Sequence, residues 1–141
     1  MKNFLKEFFK IAILFLIGGA TYCCIEILWR GYTHWTMGFL GGFCFVIIGG
    51  LNNYIPWTMK LWKQALIGSL VVTSCEFVFG IILNLFLGLH IWDYSNMPFN
   101  LLGQICLPFT IAWFFLSFVC IFVDDWLRHI LFKEEKPKYY F

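Results

Sequence analysis

Four apolar runs, each close to the length of a membrane crossing, constrain this chain more than anything else in it. A hydrocarbon layer about 30 Å thick takes roughly 20 helical residues at about 1.5 Å each. Runs near that length lie at 11–29, 37–57, 65–89 and 101–123. The second is the weakest, because Asn52 and Asn53 leave it purely apolar only as far as Leu51. A soluble alternative fails on composition: of 141 residues, 61% are hydrophobic and 13% charged, against about 45–50% and about 25% in soluble domains. A core this small cannot hide that excess. We therefore expect an all-α polytopic membrane protein, with four transmembrane helices set as two helical hairpins in a single membrane domain over 1–141. Residues 124–141 form an interfacial tail, in which Trp126, Leu127, Ile130 and Leu131 recur at helical spacing with Asp125, Arg128 and His129 between them.

Charge sets the orientation. Lys2, Lys6 and Lys10 precede the first run, Lys60 and Lys63 separate the second from the third, and Arg128, Lys133, Lys136 and Lys138 follow the fourth. On the opposite side stands Arg30 alone. In loops this short the asymmetry places both termini in the cytoplasm. The first run has no small-x-small cleavage pattern after it and continues to Trp29, so it reads as a retained signal anchor. A net charge of +2 is too slight to suggest a nucleic-acid partner. The six cysteines sit in or beside the runs without C-x-x-C spacing and read as small apolar packers. Neither a metal nor a cofactor is implied.

Four stretches, "CCIEILWRGYTHWTMGFLGGFCF", "IPWTMKLWKQALIGS", "WDYSNMPFNLLGQICLPF" and "DDWLRHILFKEEKPKYY", together resemble the CmpB-like family of small bacterial membrane proteins labelled ABC-transporter permease, type IV. The third stretch is the most specific. The resemblance implies transport across a bacterial cytoplasmic membrane. Where typical members carry Arg-Gly-Phe-Leu and a following Gly-Pro, this chain has Met37-Gly38-Phe39-Leu40-Gly41-Gly42. With no G-x-x-x-x-G-K-[ST] loop in these residues, an ABC-type mechanism implies a separate cytoplasmic ATPase. Four helices enclose little beyond their own side chains, so a solute path implies a homo-oligomer or another membrane subunit besides the lipid bilayer.

Ionisable groups inside the runs are the sharpest local signal, since each costs about 2.5–3.5 kcal/mol on insertion scales. Glu76 is the most deeply placed acid. Thr73 and Asn84 share its side of the third helix, giving a polar stripe that reads either as hydrogen-bonded helix packing or as a site. Glu26 and Arg30 are spaced four apart in the favourable order for a helical ion pair. His34 lies at the outer boundary and is either an interfacial hydrogen-bonding residue or a proton relay.

The segment "WDYSNMPFNLLGQ" is the most polar part of the chain between two apolar runs. Read as a helix start, it puts Ser95 or Asn96 at the cap and Pro98 in the first turn. Asn96, Asn100 and Gln104 then form a ladder on one face of the fourth helix. Pro108 leaves the Gln104 carbonyl free for a side chain, water or ligand. Two readings are open: a polar entrance for a solute, or a capped helix with a packing kink.

The function we expect is a permease-like subunit carrying a small polar solute. Glu76, Asn84, Asn100, Gln104 and Pro108 line its interior, and Glu26, Arg30, His34, Asp93, Ser95 and Asn96 shape the outer entrance. One alternative is a non-transporting membrane scaffold, and another is a membrane enzyme acting on headgroups through His34 and Asp93. The spacing of Glu, His and Asp supports no catalytic or metal motif, so the reading is not an enzyme.

Overall fold

The structure is a computed structural model describing residues 2–53, 56 and 58–139. All of its regular elements are helical: α1 Lys2–Arg30, α2 Trp35–Gly49, α3 Leu61–Gly80 and α4 Leu107–Phe132. A 3-10 turn, Gly50–Asn53, follows α2, and a π-helical turn, Ile81–Phe86, continues α3. By length and apolar character α1, α3 with its π turn, and α4 can each cross a membrane, whereas α2 is a shorter apolar helix.

Side-chain burial is inverted relative to a soluble protein. Leu28 is 88%, Phe86 84% and Trp29 83% exposed, while Gln64, Ser69, Glu76, Gln104, Ser117, Asp124 and Asp125 are buried. Such a surface is stable only where the solvent is lipid, which has no hydrogen bonds to offer the polar groups.

The chain divides into two compact units, Met1–Pro56 with Cys120–Lys138, and Trp57–Val119 with Tyr139–Phe141. In the first, α1 and α2 pack through glycine. A Cβ on Gly19 would lie 2.6 Å from the Gly38 carbonyl oxygen, and one on Gly42 2.6 Å from that of Phe15, so the two backbones touch. This is the close approach that small residues at four-residue spacing allow. Gly31, at φ 80°, ends α1 in the left-handed region, its N–H bonded to the Ile27 carbonyl at 2.8 Å. His34 then caps α2, its Nδ1 accepting from the Thr36 N–H at 3.3 Å.

Three boundaries differ most from the sequence reading. The first helix starts at Lys2, not at residue 11, because Lys2, Lys6 and Lys10 are good helix formers that simply extend it. The second ends at Gly49, where the Gly49–Gly50 pair tightens the chain into the 3-10 turn. The end expected for that span, Trp57, lies outside the described residues. The tail expected at 124–141 is, as far as Phe132, the uninterrupted end of α4. Its charges face inward: Asp124 is buried against Gly49 and accepts from Arg128 Nε at 2.8 Å, while Ile130 and Leu131 are exposed. Beyond Phe132 the chain turns back, and Glu134 pairs with Lys10 of α1 at 3.2 Å.

Backbone contact between α1 and α2 leaves no room for a side chain. Gly19→Val or Gly42→Val is expected to destabilise the protein by about 1–3 kcal/mol through overpacking. Gly50→Ala, with open space at its Cβ, stays within about 0.5 kcal/mol. Thermal unfolding of the three variants in detergent checks the contrast.

Candidate functional site

The second unit is built on a polar stripe along α3. Ser69, Thr73, Glu76, Gly80 and Asn84 follow one another at steps of three or four residues, so they share one helix face. The first half of α4 and the long connection 87–106 meet that face.

Polar contacts follow one another along the stripe. Ser69 Oγ donates to the Thr110 carbonyl at 2.6 Å, and the hydroxyls of Thr73 and Thr110 lie 3.0 Å apart. Both carboxylate oxygens of Glu76 are engaged: Tyr94 Oη–H bonds to Oε1 at 2.6 Å and Trp113 Nε1–H to Oε2 at 3.0 Å. The Tyr94 ring stacks on Phe109 with centroids 4.8 Å apart. At Gly80 the stripe gives up a side chain so that Gln104 and Trp92 can pack on the backbone, where a Cβ would fall 2.6 Å from Gln104 Oε1. Asn84, turned inward in the π turn, donates to Gln104 Oε1 at 2.8 Å and accepts from the Ile91 N–H at 2.7 Å. From Ser69 to Asn84 the seam is about 22 Å long at the helical rise.

The connection 87–106 is not the helix start that its spacing suggested. Asn96, Asn100 and Gln104 form no ladder on α4, which begins at Leu107. Asn100 instead turns its side chain on its own backbone, donating to the carbonyls of Ser95 and Met97 at 3.3 and 2.9 Å and accepting from the Gly103 N–H at 3.1 Å. Asx-type bonding of this kind competes with helix formation. Phe99, Leu102 and Gly103 take positive φ, which a helix cannot include. Pro108 is in the first turn of α4, where the missing N–H breaks no bond. The Gln104 carbonyl, expected to be open to a side chain, water or ligand, accepts from Trp92 Nε1 at 3.0 Å.

Among the expected site residues, Glu76, Asn84 and Gln104 come together on the seam. Asp93, Ser95, Asn96 and Asn100 lie in the connection, all of them exposed. The Ser95 hydroxyl, and after it the Ser95 backbone N–H at 2.8 Å, hold the Asp93 carboxyl below the usual carboxylate range. Glu26 and Arg30 belong to the first unit, as an ion pair extended by Tyr22 Oη to Glu26 at 3.0 Å and by Arg30 over the Tyr32 ring at 4.8 Å. His34 is the cap of α2. Missed at the sequence level were Tyr94 and Trp113, the donors to Glu76, and the buried Asp124–Arg128 pair. A tryptophan far from either end of an apolar run was the available signal for Trp113, since a buried indole N–H needs an acceptor. The four-residue spacing of Asp124 and Arg128 was the signal for the pair.

A family model described as "Putative ABC-transporter type IV" matches residues 9–139. The chain belongs to that family. It is a multi-pass membrane protein related to transport, and the family match takes in the whole seam. No solved structure matches the chain.

Two consequences are measurable. Because Asn84 and Gln104 bond while buried, a double-mutant cycle of Asn84→Ala and Gln104→Ala should show a coupling of about 0.5–2 kcal/mol, read from unfolding in detergent. The Asp93 turn has a depressed carboxyl pKa, so its stabilisation is complete above the unfolded value of about 3.9 and fades as pH falls through the lower folded value. Amide exchange at Ser95, corrected for intrinsic rate, should therefore quicken only in acid, and Asp93→Ala should remove that dependence.

Proposed function

We propose that this protein is the membrane subunit of a transport assembly that moves a small polar solute across the bacterial cytoplasmic membrane. The observation that carries the reading is the family match over nearly the whole chain, joined to a buried acid, Glu76, on which two other segments converge. An acid in a membrane helix is an expensive group whose usual use is on a solute or ion path.

In this reading α2 and its 3-10 turn supply a fourth crossing. Fifteen α-helical and four 3-10 residues reach about 30 Å, the thickness of the hydrocarbon layer. Both termini face the cytoplasm, where nine of the ten lysines and arginines then lie. The membrane domain assembles as an oligomer and works with a separate ATPase, which docks on the cytoplasmic ends. It is not itself an enzyme. A scaffold that only joins helices is the rival reading, favoured by how fully the seam residues bond to one another.

Native mass spectrometry of the protein extracted gently with its membrane partners decides between them. A stable complex with an ATPase subunit is the expected result, and Glu76→Gln should abolish solute flux while leaving that complex assembled. A ligand-free protein held in some other membrane machine, or a Glu76→Gln variant that changes stability alone, would sink the transport reading.

A further inference from the structure

Among the described residues of the second unit, the Glu76 side chain of α3 receives hydrogen bonds from both the 87–106 connection and α4. Its two donors differ in kind. An indole N–H can only donate, so Oε2 is an acceptor whatever the charge on the group. A phenolic hydroxyl can donate or accept, so Oε1 can be a carboxylate oxygen receiving the Tyr94 proton or a carboxylic hydroxyl giving its own proton to Tyr94. Both states keep the 2.6 Å and 3.0 Å contacts. The site can gain or lose one positive charge without moving a heavy atom.

The connection meets Glu76 through the same tyrosine. Tyr94 is half-buried and stands between exposed Asp93 and exposed Ser95 in the connection. Its neighbours keep it in place: the ring is stacked on Phe109, and the Tyr94 N–H bonds to the Gly103 carbonyl at 2.7 Å. Its hydroxyl therefore joins Glu76, a residue only 4% exposed, to the connection.

We propose that Glu76 is a proton-binding site, loaded through the Tyr94 hydroxyl. The step balances simply. A hydronium ion gives a proton to Tyr94 Oη as the original hydroxyl proton passes to Glu76 Oε1, leaving water, a neutral tyrosine and a neutral carboxylic acid. Protonation also weakens the hydrogen bonds from Tyr94 and Trp113, since bonds to a charged acceptor are roughly twice as strong as neutral ones. Occupancy by a proton thus loosens the docking of the connection and of α4 on α3. The titratable groups near Glu76 include the adjacent Cys75 of α3, Tyr94 from the connection and Cys106 ahead of α4, beside the neutral Trp113 and Thr110 of α4. Burial pushes the Cys106 thiol up, a backbone hydrogen bond at Phe109 opposes it, and the Glu76 charge adds to the rise. Proton binding at Glu76 does not rest on the transport reading above.

The test is the indole ¹⁵N–H resonance of Trp113, assigned by Trp113→Phe, in the full chain in lipid nanodiscs. Its shift should follow a single titration with pH, which Glu76→Gln removes and Glu76→Asp keeps. Tyr94→Phe should make the site hold its proton about tenfold more tightly, because the ionised form loses the stronger bond. A resonance that does not titrate while the protein stays folded overturns the proposal, as does a titration that survives Glu76→Gln. A shift produced by sodium at constant pH would assign the site to a metal cation and overturn it too. A titrating resonance in a protein with no ATPase partner and no flux keeps the proton site and removes the transport reading. A silent one beside an intact ATPase complex does the reverse.

Discussion

A polar side chain facing lipid finds no partner there, and most of this structure follows from that constraint. Water would accept or donate to an exposed serine or glutamate, but a hydrocarbon layer does neither. The helices therefore turn their apolar residues outward and pool their polar ones. On α3 the pooled residues are Ser69, Thr73, Glu76 and Asn84, and the partners they find are Thr110, Trp113, Tyr94 and Gln104. In lipid, hydrophobic burial cannot itself pull helices together, because the tails are as apolar as leucine. Close backbone packing does this in the first unit, through Gly19 and Gly42. In the second, the hydrogen-bonded seam does it.

The connection 87–106 is part of the same solution. It is irregular backbone next to a membrane helix, which is tolerable only if its own N–H and C=O groups are satisfied. Asn100 serves three of them, and Asp93 serves the Ser95 N–H. Trp92 and Gln104 then close the connection onto α3 beside Gly80, where the lack of a side chain makes room. The polar residues of this segment thus do two kinds of work. Asp93 and Asn100 hold the loop's shape, while Gln104 and Tyr94 reach into the seam.

That division marks what could be read from the sequence. Long apolar runs made α1, α3 and α4 legible, and the helical spacing of Thr73, Glu76 and Asn84 placed their stripe correctly. The connection was not legible as a loop, because Asn96, Asn100 and Gln104 keep the same four-residue steps in a helix or in a series of turns. What decides is the backbone at Phe99, Leu102 and Gly103, whose positive φ values only folding reveals. Asparagine is also a residue whose side chain competes with helical hydrogen bonds, and that weighs against the spacing. The partners of Glu76 were hidden for another reason. Tyr94 and Trp113 lie 18 and 37 residues from it, and no local pattern reports a contact across that distance.

Two of the buried carboxylates, Asp124 and Glu76, are satisfied in different ways, and the difference bears on where change of state can occur. Asp124 bonds to Arg128, one turn along its own helix. That pair is made within α4 itself, with Asp124 packed against Gly49. Glu76 bonds to neutral donors contributed by two other segments, so its satisfaction depends on the connection and α4 both being docked. Undocking either one strands a charge in lipid, which is costly unless the group takes up a proton. The linkage is reciprocal: whatever loosens the connection favours the neutral acid, and whatever protonates the acid loosens the connection. Glu76 is thus the place in this fold where the position of a segment and the charge of a side chain depend on each other.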